Sequence, residues 1–155
     1  MKETLEWIDI MDIDLTHVGI TVSDLDASVK FYEEVFGFTC RDRHTFDEEF
    51  ISAVPNLYKL SNTIADAAFI VASNGIVLEL FQFKPALPED GRFAWNRTGH
   101  THIAFTLDDL PEFAKHMRAK NVRFCMDVLE KQDGSHWVFV QDPDGNLIEV
   151  SEPWR

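Results

Sequence analysis

The 155-residue chain is long enough for one domain, or for two small modules sharing a core, that buries about two-thirds of its unfolded surface. Hydrophobic residues make up 45% of it, with 13 Phe and 4 Trp, which marks a globular protein. Fourteen Lys and Arg against 27 Asp and Glu leave a net charge of −13, which excludes nucleic acid and anionic membrane as partners, since both require clustered cations.

Residues 1–13 read as an acidic lead-in carrying Trp7, Ile8, Ile10 and Met11. They have no apolar core of signal-peptide length, and no stretch approaches the roughly 20 apolar residues of a membrane span, so a cytoplasmic setting is expected. Residues 15–22 have a period of two. Val18, Ile20 and Val22 point one way, and His17, Gly19 and Thr21 the other, as in a strand with one face on a core. Ser23 or Asp24 can cap the helix that follows, in which Leu25, Val29, Tyr32 and Phe36 recur at helical spacing until Gly37. A strand over 38–45 comes next. Residues 46–60 carry a turn at Pro55-Asn56 and no clear element. Strands over 64–72 and 76–83 are joined by Ser73-Asn74-Gly75, which suits a tight hairpin.

The segment 84–99, with Pro85, Pro88, Gly91 and Gly99, is a linker, after which the order of elements repeats. Thr101-His102-Ile103-Ala104-Phe105 restates Thr16-His17-Val18-Gly19-Ile20 at an offset of 85 (102 minus 17). Cys40 and Cys125 share that offset, so the repeat accounts for them as structural thiols better than a disulfide framework does. A strand over 100–107, a helix over 111–120 and strands near 122–126, 136–141 and 146–151 complete the copy, with Asp142-Pro143-Asp144-Gly145 at the last turn. The expected organisation is a lead-in (1–13), a first βαβββ module (14–83), a linker (84–99) and a second βαβββ module (100–155). The fold class is α+β, with a curved mixed sheet whose one uncovered face is the place to look for function.

On that face each copy offers a histidine at the start of its first strand, His17 or His102, and an acid interrupting the apolar run of its last strand, Glu79 or Glu149. Burying a lone carboxylate costs several kcal/mol unless it is paired or binds a metal. Two imidazoles and two carboxylates in matched places suit one divalent ion, Ni, Zn, Co, Mn or Fe, with positions left for water or substrate. Phe81 and Phe83 share the Glu79 side and form an apolar wall. His100 lies on the His102 side as a substrate contact or solvated group. His44, His116 and His136 read as surface or packing residues, and Glu48-Glu49 as an exposed acidic pair. Trp137 and Phe139 can reach the cleft, but their register is open.

These residues, together with Phe31-Tyr32, Phe36-Gly37-Phe38, Gly99-His100 and Asp142-Pro143-Asp144-Gly145-Asn146-Leu147-Ile148-Glu149, give the chain a resemblance over about 14–153 to the vicinal oxygen chelate superfamily. That group includes glyoxalase I, methylmalonyl-CoA epimerase, extradiol dioxygenases and the fosfomycin and bleomycin resistance proteins. The resemblance implies paired βαβββ modules around a metal held by His17, Glu79, His102 and Glu149, the pattern similar to bacterial glyoxalase I. It implies an enediolate or enolate reaction in which Glu149, or alternatively Glu79, moves a proton. Where glyoxalase I carries an Arg and an Asn that serve glutathione, this chain has Thr21 and Phe83, so a small carbonyl substrate is expected and the involvement of glutathione stays open.

The alternatives are an epimerase of the methylmalonyl-CoA type, a non-haem Fe(II) extradiol-type dioxygenase, and, from another class, a ligand-binding protein of the bleomycin-resistance type. A homodimer is expected, with the site within one chain or shared between two.

Overall fold

Alternation and capping place every main element close to where the sequence puts it. The computed structural model describes residues 14–86, 95 and 98–153, so the lead-in and most of the linker lie outside the described residues. In chain order the first half runs β1 (Val18–Thr21), α1 (Leu25–Phe36), β2 (Thr39–Phe46), α2 (Glu48–Ala53), α3 (Pro55–Tyr58), β3 (Ile64–Val71) and β4 (Val77–Lys84). The second half runs β5 (His102–Thr106), α4 (Leu110–Ala119), β6 (Arg123–Phe124), β7 (Leu129–Glu130), β8 (His136–Gln141) and β9 (Leu147–Ser151). The α+β architecture is borne out as two mixed sheets, ordered β1-β4-β3-β2 and β5-β9-β8-β6, with β7 also on β8. Each sheet opens with a parallel pair, β1 with β4 and β5 with β9, and continues antiparallel.

Two details differ from the expectation. The unclear segment after β2 folds into two short helices: Asp47 caps α2 by accepting from the Phe50 N–H at 2.8 Å, and Pro55 opens α3 rather than marking a turn. The strand expected over 122–126 shrinks to the two-residue β6, and a further two-residue strand, β7, follows it at 129–130.

Asp24 caps α1 by accepting from the Ala27 N–H at 3.0 Å, and Asp109 caps α4 by accepting from the Glu112 N–H at 2.9 Å. Helix α1 ends at Gly37, whose φ of +72° is cheap only for glycine, with its N–H on the Glu33 carbonyl. The inward faces merge into one core. Leu25, Val29, Tyr32, Ile70, Leu78 and Leu80 from the first half meet Leu110, Met117, Val138, Val140, Ile148 and Val150 from the second. Each fully buried aliphatic side chain contributes roughly 1.5–3 kcal/mol, so the shared core stabilises both halves as a unit. Among the described residues no helix is long and apolar enough to cross a membrane.

The Asp-Pro-Asp-Gly-Asn motif ties the halves together. Asp142 is 1% exposed and accepts from the backbone N–H groups of Asp144 and Asn146, the Asn146 side-chain amide and the Tyr32 hydroxyl, at 3.0, 2.8, 2.8 and 3.3 Å. Burial, and secondarily Asp142 itself, push the Tyr32 hydroxyl well above its ordinary range, so it stays a donor. Asp144 reaches back to accept from the Ser23 N–H at 3.1 Å.

Candidate metal centre

The core-facing residues of β4 and β9 fix what faces the other way. Because Leu78 and Leu80 are buried in the core, Glu79 and Phe81 must point out of it; Ile148 and Val150 do the same for Glu149. In register, Gly19 and Phe69 flank Glu79, while Ala104 and Phe139 flank Glu149. Each acid therefore lies between the first strand of its module and a phenylalanine of the neighbouring strand.

The four predicted donors come together as two pairs. His17 Nε2 is 3.2 Å from Glu79 Oε2, and His102 Nε2 is 3.3 Å from Glu149 Oε2. Among the described residues no group of three or more His, Cys, Asp or Glu side chains is close enough to hold a metal ion, so a single chain presents two two-donor half-sites. The donor set fits a divalent ion. Two donors each about 2.1 Å from one ion and about 100° apart stand about 3.2 Å from each other, the separation found in both pairs.

In both half-sites the other ring nitrogen is occupied. Thr16 Oγ1 lies 3.0 Å from His17 Nδ1, and Thr101 Oγ1 lies 2.8 Å from His102 Nδ1. With a cation bound, a hydroxyl accepting from Nδ1–H would fix the tautomer and free the Nε2 lone pair for the ion. The repeated Thr-His dipeptide is the signal in the sequence for this role.

His44 has a second neighbourhood besides its packing. It packs as expected, and it also stands beside the first half-site: its Nε2 is 3.9 Å from Glu79 Oε1 and its Nδ1 is 3.9 Å from Asp42 Oδ2. Its ring stacks on Phe69 at 5.5 Å and meets Phe46 edge-on at 4.5 Å. A register shift between Cys40 and Asp42 breaks the alternation of β2, so the face His44 takes could not be counted from the strand's start.

The surroundings are aromatic. Phe81 lies 6.0 Å from both Phe46 and Phe83, and in the second half His102 contacts Phe139 and Trp95 at 5.0 and 5.6 Å. Register settles the open question for Trp137 and Phe139, which pair with Ser151 and Glu149 and so share the Glu149 face. Thr21 and Phe83 line a cavity of about 390 Å³ with Val22, Leu60 and Pro85, and Thr21 and His100 line another of about 420 Å³ between β1 and residues 100–103. No Lys or Arg lines either cavity among the described residues. A cavity of about 900 Å³ between α4, β5, the end of α1 and the β3–β4 turn contains none of the four candidate ligands.

The profile of the Glyoxalase/Bleomycin resistance protein/Dioxygenase superfamily matches residues 14–150. Lactoylglutathione lyase of Schizosaccharomyces pombe is 29% identical over 148 residues, covering 92% of this chain but 48% of its own length, so the chain spans about half of that relative. Lactoylglutathione lyase of Pseudomonas putida is 28% identical over 153 residues, 88% of this chain and 83% of that protein. The crystal structure of a glyoxalase family protein from Bacillus cereus superposes with a TM-score of 0.78 at 22% identity, covering 98% of this chain and 97% of the other, a likeness of fold. With the match running through both Thr-His copies and both acids, the chain belongs to the Glyoxalase/Bleomycin resistance protein/Dioxygenase superfamily.

Proposed function

We propose that the protein is a metal-dependent lyase or isomerase of the glyoxalase I type, acting on a small carbonyl compound through an enediolate or enolate. The observation that carries this reading is the pair of matched half-sites, His17 with Glu79 and His102 with Glu149, each with its histidine oriented by a threonine. When bound, a divalent ion (Ni, Zn, Co, Mn or Fe) would polarise two neighbouring substrate oxygens and so acidify the adjacent C–H. His17, His102 and Glu79 would hold it. Glu149, with 24% of its side chain exposed against 10% for Glu79, is better placed to take the proton from one carbon and return it to the next.

Since one chain supplies two donors per half-site, the complete set of four is assigned to a homodimer in which the first half of one chain meets the second half of its partner. The outer edges of β1 and β5, each hydrogen-bonded to only one strand among the described residues, are the natural place for that meeting. Cavities lined by Thr21, Phe83 and His100 without a cation suit a neutral, partly apolar substrate better than a tripeptide thiol with its two carboxylates.

The test combines elemental analysis of the purified protein with deuterium exchange next to the carbonyl of a small α-hydroxyketone. One divalent ion per chain, with exchange that Glu149→Gln reduces at least 100-fold without loss of the fold, is the expected result. No ion, or an exchange rate indifferent to that substitution, would reject the assignment, and oxygen consumption on a catechol would favour the dioxygenase alternative.

A further inference from the structure

The two half-sites share a threonine, a histidine and an acid, but they part company on the far side of the acid. In the first, the strand next to the acid carries Ala67, fully buried, and His44 pairs with it across β2 and β3. In the second, the same places are taken by Trp137 and Leu129, which pair across β8 and β7. The alanine leaves room for the imidazole to lean toward Glu79, and the stacking of His44 on Phe69 and against Phe46 holds the ring there. The result is a line of alternating acids and imidazoles: Asp42, His44, Glu79, His17, closed by the Thr16 hydroxyl. Among the described residues, the second half-site stops at Glu149.

We propose that Asp42 and His44 are positioning residues for Glu79, confined to the first half-site. At 3.9 Å His44 Nε2 stands beyond a direct hydrogen bond to Glu79, a gap that a small rotation of the carboxylate would close. Glu79 is then flanked by imidazoles on both sides, whereas among the described residues Glu149 has one on one side only. On the reading proposed above, this assigns the fixed role to Glu79 and the mobile one to Glu149.

The test uses two substitutions that separate ring from donor. His44→Phe keeps an aromatic ring between Phe69 and Phe46 but has no N–H, and His44→Gln keeps a donor and loses the ring. Asp42→Ala, at an exposed position, serves as a third variant that folds even if a His44 variant does not. The readout is the set of imidazole ¹⁵N–¹H correlations in metal-free protein. His44→Phe and Asp42→Ala are expected to shift the His17 signals while those of His102 stay in place, and His44→Gln is expected to keep the His17 signals near wild type. Any other pattern, in particular Phe behaving as wild type and Gln not, makes His44 a packing residue and overturns the proposal. Cobalt(II) affinity, measured alongside by chelator competition, should fall about tenfold in His44→Phe. If wild-type protein takes up no cation while the imidazole pattern holds, the metal-dependent function fails and the positioning of Glu79 stands.

Discussion

The two halves of the molecule have the same hydrogen-bonded skeleton and different chemistry hung on it. Both hairpins that precede the last strand close in the same way. The N–H groups of Ala72 and Gly75 bond to Ile76 and Ala72, and those of Asp142 and Gly145 bond to Asn146 and Asp142. Both helices receive a side-chain acceptor at their first residue from the end of the module: Gln82 Oε1 in β4 accepts from the Leu25 N–H at 3.3 Å, and Glu152 Oε1, just past β9, from the Leu110 N–H at 3.0 Å. The backbone plan has been kept twice over, while individual side chains have diverged wherever a neutral residue in the first half becomes an acid in the second. The contrast teaches that Asp142 and Glu152 stabilise this molecule in ways their counterparts Ala72 and Gln82 do not.

Copying the first half into the second breaks the contrast most severely at the turn. Asp142→Ala installs the residue found at Ala72, and leaves the N–H groups of Asp144 and Asn146 and the Tyr32 hydroxyl without their acceptor. Part of the loss is offset because burial already pushes the Asp142 carboxyl up from its ordinary range. A net cost of about 2–3 kcal/mol is expected, read from the urea midpoint. A change under about 0.5 kcal/mol would mean that the motif does not join the halves.

A smaller effect sharpens the same contrast. Glu152 is held below its ordinary value of 4.5, chiefly by the Leu110 N–H and then by the His136 side chain and N–H. A carboxyl whose folded value is depressed contributes stability above its unfolded value and loses it as the pH falls through the folded one. Wild-type protein should therefore lose stability on acidification below about pH 4.5 more steeply than Glu152→Gln, which copies Gln82 and has nothing to titrate there. Denaturant midpoints measured between neutral pH and acid check this, and parallel curves for the two proteins would contradict it.

Much of this was legible in the sequence because the repeat doubles each signal. A single strand histidine is ambiguous; His17 and His102 at one offset, each followed by an apolar alternation and later by an interrupting acid, are not. The cap Asp24 and the hairpin glycines 75 and 145 were legible from their local turn chemistry. What could not be read lies where the repeat or the alternation fails. The register shift in β2 hid the face of His44, and the bulk of Trp137 against the smallness of Ala67 mattered only once their cross-strand partners were known. Nor could linear spacing say that the donors assemble as two separate pairs, since that depends on how the halves pack around Tyr32 and Asp142.

The claim that two half-sites from different chains make one centre is tested most directly by complementation. His17→Ala removes a donor from every shared site, and so does His102→Ala, so each variant alone should lose tight cobalt(II) uptake. Co-expressed in equal amounts, they should form heterodimers with one intact site of two, restoring about a quarter of the wild-type capacity. A mixture that binds no better than either parent, while wild-type protein binds fully, would contradict the account.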